Sequence, residues 1–307
     1  MTSLSLVVRG GTVYDGTGAP GRDADVLVAG DRVVAVGSAP DGHSAQVLDA
    51  TGLVVVPGFV NILSHAWPAM LADGTAESEL RQGVTTEVFG EADSPGPADA
   101  AYGDYLQQVY EAPVPAGFAR LADGLDTLVA GGISPNVASF VGGANLRYLG
   151  AGFADRPLTG AELDRIRGVL GEELADGALG LGTALIYPPG RYADTAELAV
   201  LCQVVAAHDG LYISHLRSEA EGFLDALDEL LELHRRTGVR TEVYHLKAAG
   251  TGNWPKMRVA VERIAAARAA GVPVGANMYP YQAGSNPLGS CIPPRFHDGG
   301  PAALAAR

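Results

Sequence analysis

Leu211-Tyr212-Ile213-Ser214-His215-Leu216-Arg217 and, one helix later, Arg240-Thr241-Glu242-Val243-Tyr244-His245-Leu246-Lys247 decide how this chain is read. Each is a short β-rich run ending on a histidine, followed by a leucine and a base. Between them Leu224, Leu227, Leu230 and Leu231 recur on one face at helical spacing, and Gly238 is a natural helix stop. A strand, a helix and a second strand of these lengths form one βαβ unit, with its two strands parallel.

The same rhythm extends in both directions. Strands are expected at Val54–Ile62, Val84–Phe89, Asn136–Val141, Ala178–Thr183, Leu211–His215, Arg240–His245 and Val272–Asn277. Helices lie between them with recognisable punctuation. Thr159 and Glu162 form a capping-box pattern ahead of Leu163, Ile166 and Leu170. Asp194 or Thr195 can cap a helix running toward His208. Pro255 opens a helix that carries Val259, Val261, Ile264 and Ala265 and stops at Gly271. Strand–helix alternation predicts an α/β fold with a parallel sheet. Seven such strands, with no glycine-rich phosphate loop after the first, favour a (β/α)₈ barrel over an open doubly wound sheet. The stretch from 91 to 135, rich in Pro, Gly and Ala, reads as a long loop.

Residues 1–56 behave differently. Leu4, Leu6 and Val8 alternate with polar or small residues, and Val26 and Val28 precede a Gly30-Asp31 turn that Val33, Val34 and Val36 follow. A small antiparallel sheet without helices is expected there, so the chain divides into 1–56 and a barrel unit over 57–307. Seven barrel strands are countable where eight are needed. The sequence is therefore expected to be incomplete relative to its fold, with unpaired edges on strands one and seven.

Composition bounds the function. A hydrophobic fraction of 47% fits a large core, and a net charge of -14 without a Lys/Arg cluster argues against nucleic-acid binding. Two cysteines, Cys202 and Cys291, cannot build a disulfide framework and suit a reducing compartment. The N-terminal apolar run is too short for a signal peptide, and no stretch approaches the 18 or so apolar residues of a membrane span. A cytoplasmic protein acting on a small molecule is expected, its oligomeric state open.

In such a barrel, chemistry sits at the C-terminal ends of the strands. His215 and His245, in matching places one βα unit apart, can bind a divalent metal, most simply zinc. A lone histidine there would more often only satisfy a packed strand end. His65 follows the first strand, as a ligand or an ordinary loop histidine. Glu91 and Asp93 follow the second, as metal ligands, as an acid and base, or as solvated loop carboxylates. Tyr187 lies past strand four, and Tyr279, Tyr281 and Ser285 past strand seven. With Lys247 these hydroxyls could receive a carboxylate ligand, although the tyrosines could equally be packing. His43, His208, His234 and His297 carry no expected role.

These residues sit within longer matches to a known family. Val7-Val8-Arg9-Gly10-Gly11-Thr12-Val13-Tyr14-Asp15-Gly16-Thr17-Gly18 and Asp49-Ala50-Thr51-Gly52-Leu53-Val54-Val55-Val56-Pro57-Gly58-Phe59 resemble the opening of amidohydrolases. Gly83-Val84-Thr85-Thr86, Gly177-Ala178-Leu179-Gly180, Tyr187-Pro188-Pro189-Gly190-Arg191-Tyr192-Ala193, His245-Leu246-Lys247-Ala248-Ala249-Gly250 and Tyr279-Pro280-Tyr281-Gln282-Ala283-Gly284-Ser285 are similar to the N-acyl-D-amino-acid deacylase, or D-aminoacylase, branch. The resemblance implies a zinc-dependent barrel beside a small β-sandwich built from both chain ends, hydrolysing the amide of an N-acyl-D-amino acid. It implies His215 and His245 as zinc ligands and Tyr187 near the amide. It also implies Lys247, Tyr279 and Ser285 on the substrate carboxylate. Two departures stand out. The family's His-x-His after strand one reads Leu63-Ser64-His65, and its metal-binding cysteine falls on Ala92, where neighbouring Glu91 could supply a carboxylate. The family's catalytic aspartate is expected beyond residue 307. The alternatives are an amidohydrolase for another linear or cyclic amide, or a non-catalytic or incomplete paralogue.

Overall fold

A computed structural model describes residues 3–110 and 117–307, which divide into two compact units, Met1–Phe59 and Val60–Arg307. The first is a five-stranded sheet of β1 (Leu6–Val13), β2 (Arg22–Ala29), β3 (Arg32–Gly37), β4 (Gln46–Asp49) and β5 (Val54–Val55). The expected hairpin is β2–β3, with Ala29 opposite Arg32 across the Gly30-Asp31 turn. The sheet is mixed rather than antiparallel. β4 runs parallel to β1 from Leu6 to Arg9, and β5 runs parallel to it at Thr12 and Val13. Period-two alternation fixes which side chains share a face but says nothing about strand direction, which follows from how the chain returns after β3.

The second unit is built on β6 (Phe59–Asn61), β7 (Val84–Phe89), β8 (Asn136–Ser139), β9 (Val141–Gly142), β10 (Gly180–Ala184), β11 (Leu211–His215), β12 (Arg240–Val243) and β13 (Val274–Ala276). β8 and β9 are two pieces of the third expected strand, parted at Phe140. The strands lie in the orders β6-β7-β8 and β9-β10-β11-β12-β13. β7 pairs with β8, and each neighbouring pair from β9 to β13 pairs, in parallel register. The seven expected runs are all present, but the run Val54–Ile62 splits between the five-stranded sheet of the first unit and the β6-β7-β8 sheet.

The segment from 91 to 135 is not one long loop. It contains helices Ala100–Tyr110 and Leu121–Gly131, which bury Tyr102, Leu106, Leu121 and Leu128. These apolar residues recur at spacings of four and seven, a helical signal that the surrounding Pro and Gly residues obscured.

Local rules hold at the other helix ends. Thr159 and Glu162 make both hydrogen bonds of a capping box. Asp194, not Thr195, caps its helix by accepting from Glu197 N at 2.8 Å. Gly238 closes the helix Phe223–Thr237 in the left-handed conformation, as only a residue without Cβ does cheaply. Leu227, Leu230 and Leu233 of that helix are almost fully buried, each contributing about 1.5–3 kcal/mol over an exposed position.

Strand alternation then places the chemistry. Tyr212 and Val243 join the core under the helices, whereas Val88, Phe140, Ile213 and Tyr244 cluster on the opposite face. His215, two residues beyond Ile213 on β11, therefore faces the same side as Ile213, at the strand's C-terminal end. Among the described residues no helix is long and apolar enough to cross a membrane.

Candidate metal centre

Three strand ends converge on Glu91. Gly90, just past β7, holds φ at +109°, and a Cβ there would come within 2.5 Å of Phe140 O. Only glycine lets the chain turn so close to the neighbouring strand. That turn buries the Glu91 carboxylate, which is 7% exposed. His215 Nδ1 lies 2.9 Å from Glu91 Oε1, and His245 Nε2 lies 2.8 Å from the same oxygen. His65 Nε2 is 2.8 Å from the other carboxylate oxygen, on a half-exposed side chain. One ligand atom each from Glu91, His215 and His245 falls within 4.8 Å of the others. Sequence spacing had allowed Glu91 to be a solvated carboxylate; the structure buries it among imidazoles instead.

Electrostatics fit this enclosure. Burial works against the Glu91 anion, but hydrogen bonds from His215, His245 and His65 hold its carboxyl well below the ordinary range. Burial also opposes a charged His245, yet its carboxylate partners Glu219 and Glu91 raise it to about 9. His65 is raised in the same way by Glu91.

Glu219 is a member that the sequence reading missed. It lies four residues past His215, in the loop that follows β11, and its Oε1 is 3.2 Å from His245 Nδ1 and 2.5 Å from Lys247 Nζ. His215 Nε2 lies 3.4 Å from the same oxygen without forming a hydrogen bond, so this buried nitrogen has no hydrogen-bond partner among the described residues. The one available clue was a carboxylate shortly after a strand-end histidine.

The remaining expected residues divide. Tyr187 packs edge-on against His215 with ring centroids 5.5 Å apart, and its hydroxyl donates to Asn286 Oδ1 at 2.8 Å. Tyr279 lies edge-on to His245 at 6.4 Å, and Lys247 Nζ is 5.7 Å from the Tyr279 ring centre. Tyr281 stacks on Tyr279 but is largely exposed. Ser285 is exposed in the loop after β13 and is not brought against the cluster. Lys247 is not free: it rests on Glu219 and on His245 Nδ1 at 2.8 Å. Asp93 turns away to accept a short hydrogen bond from Tyr102 among aromatic rings, and burial pushes its carboxyl up to about 6. Arg217, despite its matching place after His215, braces structure, binding Glu229 and the carbonyls of Arg191 and Ala193.

No family model matches the chain. D-aminoacylase of Alcaligenes xylosoxydans xylosoxydans is 35% identical over 297 residues, covering 93% of this chain and 59% of that protein. The crystal structure of N-acyl-D-glutamate deacylase from Bordetella bronchiseptica, complexed with zinc and a phosphonate inhibitor that mimics the tetrahedral intermediate, superposes with a TM-score of 0.82. It is 35% identical, with 91% of this chain and 59% of that chain covered. A crystal structure of D-aminoacylase, described as defining a novel subset of amidohydrolases, superposes with a TM-score of 0.83 at 34% identity, covering 92% and 59%. The parallel-stranded unit with its histidines at the strand ends is that of an amidohydrolase. Within that class the chain is similar to the D-aminoacylase branch. It spans about three-fifths of the length of these relatives.

Proposed function

We propose that this chain carries the metal centre of an amidohydrolase that cleaves the amide of N-acyl-D-amino acids. The observation that carries this reading is the buried convergence of His215 Nδ1 and His245 Nε2 on one oxygen of Glu91. Two imidazoles and a carboxylate are a donor set that zinc takes in catalytic sites, with positions left for water and substrate. The buried His215 Nε2 has no hydrogen-bond partner among the described residues, which supports a ligating role for this ring. Glu91, His215 and His245 would hold the ion, with His65 on the outer oxygen of Glu91 as a further candidate. Zinc bound there would supply Lewis acidity toward the amide carbonyl and lower the pKa of a bound water.

The chain's own groups have distinct tasks in this reading. Glu91 stays ionised because three imidazoles surround it, so it keeps its ligand charge at neutral pH. Tyr187, Lys247 and Tyr279 form the substrate side, with Tyr187 and Tyr279 flanking the two histidine rings. Lys247 would hold the substrate carboxylate by a charge-assisted bond, sharing its ammonium with Glu219. Residues 1–56 are assigned to a small β-sandwich and 57–307 to the barrel. The acidic composition and the free cysteines Cys202 and Cys291 support a cytoplasmic location and a small-molecule substrate rather than nucleic acid.

One observation favours a second reading, an amidohydrolase for a linear or cyclic amide lacking a carboxylate: Glu219 already neutralises Lys247 at 2.5 Å. Hydrolysis of N-acetyl-D-amino acids, their L enantiomers and hydantoins by the zinc-loaded product of the complete reading frame separates the two. Turnover of the D series is expected. Turnover of hydantoins alone selects the second reading, and none with any amide removes both.

A further inference from the structure

The His245 backbone sits at φ +35°, in the left-handed region that residues with a Cβ avoid. It lies two residues beyond the end of β12, which closes at Val243. The twist is what swings the imidazole away from the strand direction and onto Glu91. Such a conformation persists only where neighbouring groups over-determine it.

Asn277, just past the end of β13, supplies that constraint from the adjacent strand. Its Oδ1 accepts from His245 N at 2.7 Å, inside the strained turn. Its backbone N donates to Val243 O at 3.0 Å, and its carbonyl accepts from Leu246 N at 2.8 Å. Both flanks of His245 are thereby tied to one residue. The Asn277 amide is oriented in turn: its Nδ2 donates to Glu242 Oε1 at 2.9 Å. Gly275 pairs with Glu242 across the ladder, and a Cβ there would stand 3.1 Å from Glu242 Oε2, so the glycine leaves room for that carboxylate.

The geometry points to Asn277, oriented by Glu242, as the positioning residue that holds His245 in its ligating pose. The inference rests on the metal-centre reading above. Asn277 acts through the backbone that carries the imidazole, by way of its hydrogen bond to His245 N.

The test is zinc affinity, measured by chelator competition, with thermal unfolding of each variant alongside and the visible spectrum of the cobalt-substituted protein as a report on ligand geometry. N277A loses the acceptor for His245 N, and N277D sets a carboxylate against Glu242. Both are expected to bind zinc about 10–100-fold more weakly. In N277D/E242Q the glutamine amide donates to one oxygen of the new carboxylate, whose other oxygen still accepts from His245 N. This variant is expected to return to within about threefold of the unmodified chain, a small fraction of that loss. Where N277A does not fold, the comparison of N277D with N277D/E242Q decides alone. Zinc affinity in N277A equal to that of the unmodified chain, or a double variant as weak as N277D, overturns the positioning role. An unmodified chain that binds no zinc overturns the metal-centre reading itself.

Discussion

His245 Nε2 lies 2.8 Å from Glu91 Oε1, across 154 residues of chain. A buried carboxylate and a buried imidazole do not meet over that distance by local structure. The ends of β7 and β12 must be brought to one mouth of the unit, and each must end in a turn that points its side chain inward. Glu91 is reached through the glycine turn at Gly90, and His245 through its own left-handed backbone.

At most one tightly held zinc per chain is expected, because Leu63 stands where the resemblance to D-aminoacylases implies a histidine that a second ion would use. Glu91→Ala removes the only carboxylate of the triad and should weaken binding by at least about tenfold. Elemental analysis and chelator competition check this. Two tight equivalents in the unmodified chain, or unchanged affinity in Glu91→Ala, contradict it.

On any N-acyl-D-amino acid that the protein hydrolyses, Lys247→Ala is expected to raise KM by the loss of a charged hydrogen bond, about 1.5–3 kcal/mol. The same variant leaves Glu219 without its cation, so zinc affinity should be measured in parallel. A KM equal to that of the unmodified protein takes Lys247 out of the substrate site.

Arg147 and Glu197 form a buried ion pair, the arginine being 2% exposed. Arg147 also donates to Arg156 O. Burial already raises the Glu197 carboxyl, with Arg147 opposing it. Arg147→Met strands that carboxylate and should destabilise the fold by about 3–5 kcal/mol. Denaturant unfolding reads the change; a loss below about 1 kcal/mol would mean that the pair contributes no more than a surface one.

Glu162 is held down to about 2 by Arg156 and by the Thr159 backbone at the start of the helix Gly160–Ala175. A carboxylate with a depressed folded value stabilises above its unfolded value and loses that contribution as pH falls through the folded one. The Tm difference between the unmodified chain and Glu162→Gln should be full at pH values above about 6 and shrink from about 4.5 down to about 2. The amide of glutamine can still reach the cap, so the substitution isolates the charge. A Tm difference that does not change with pH excludes this account.

The sequence by itself determined the strand–helix alternation, the seven β-rich runs, the cap at Thr159, the stop at Gly238, and His215 and His245 as a pair at one mouth. Each of these follows from local periodicity or from the stereochemistry of one residue, information carried within a few positions of the chain. Tertiary structure alone decided the mixed direction of the N-terminal sheet and the two helices hidden between 100 and 131. It also buried Glu91 against the imidazoles and turned Asp93 toward Tyr102, put Glu219 between His245 and Lys247, and set Asn277 against the His245 backbone. Neighbouring carboxylates look alike in sequence. Which one enters the centre depends on the turn at Gly90 and on an aromatic box around Tyr102 that draws Asp93 away. Such contacts join residues tens to hundreds of positions apart, and no local pattern encodes them.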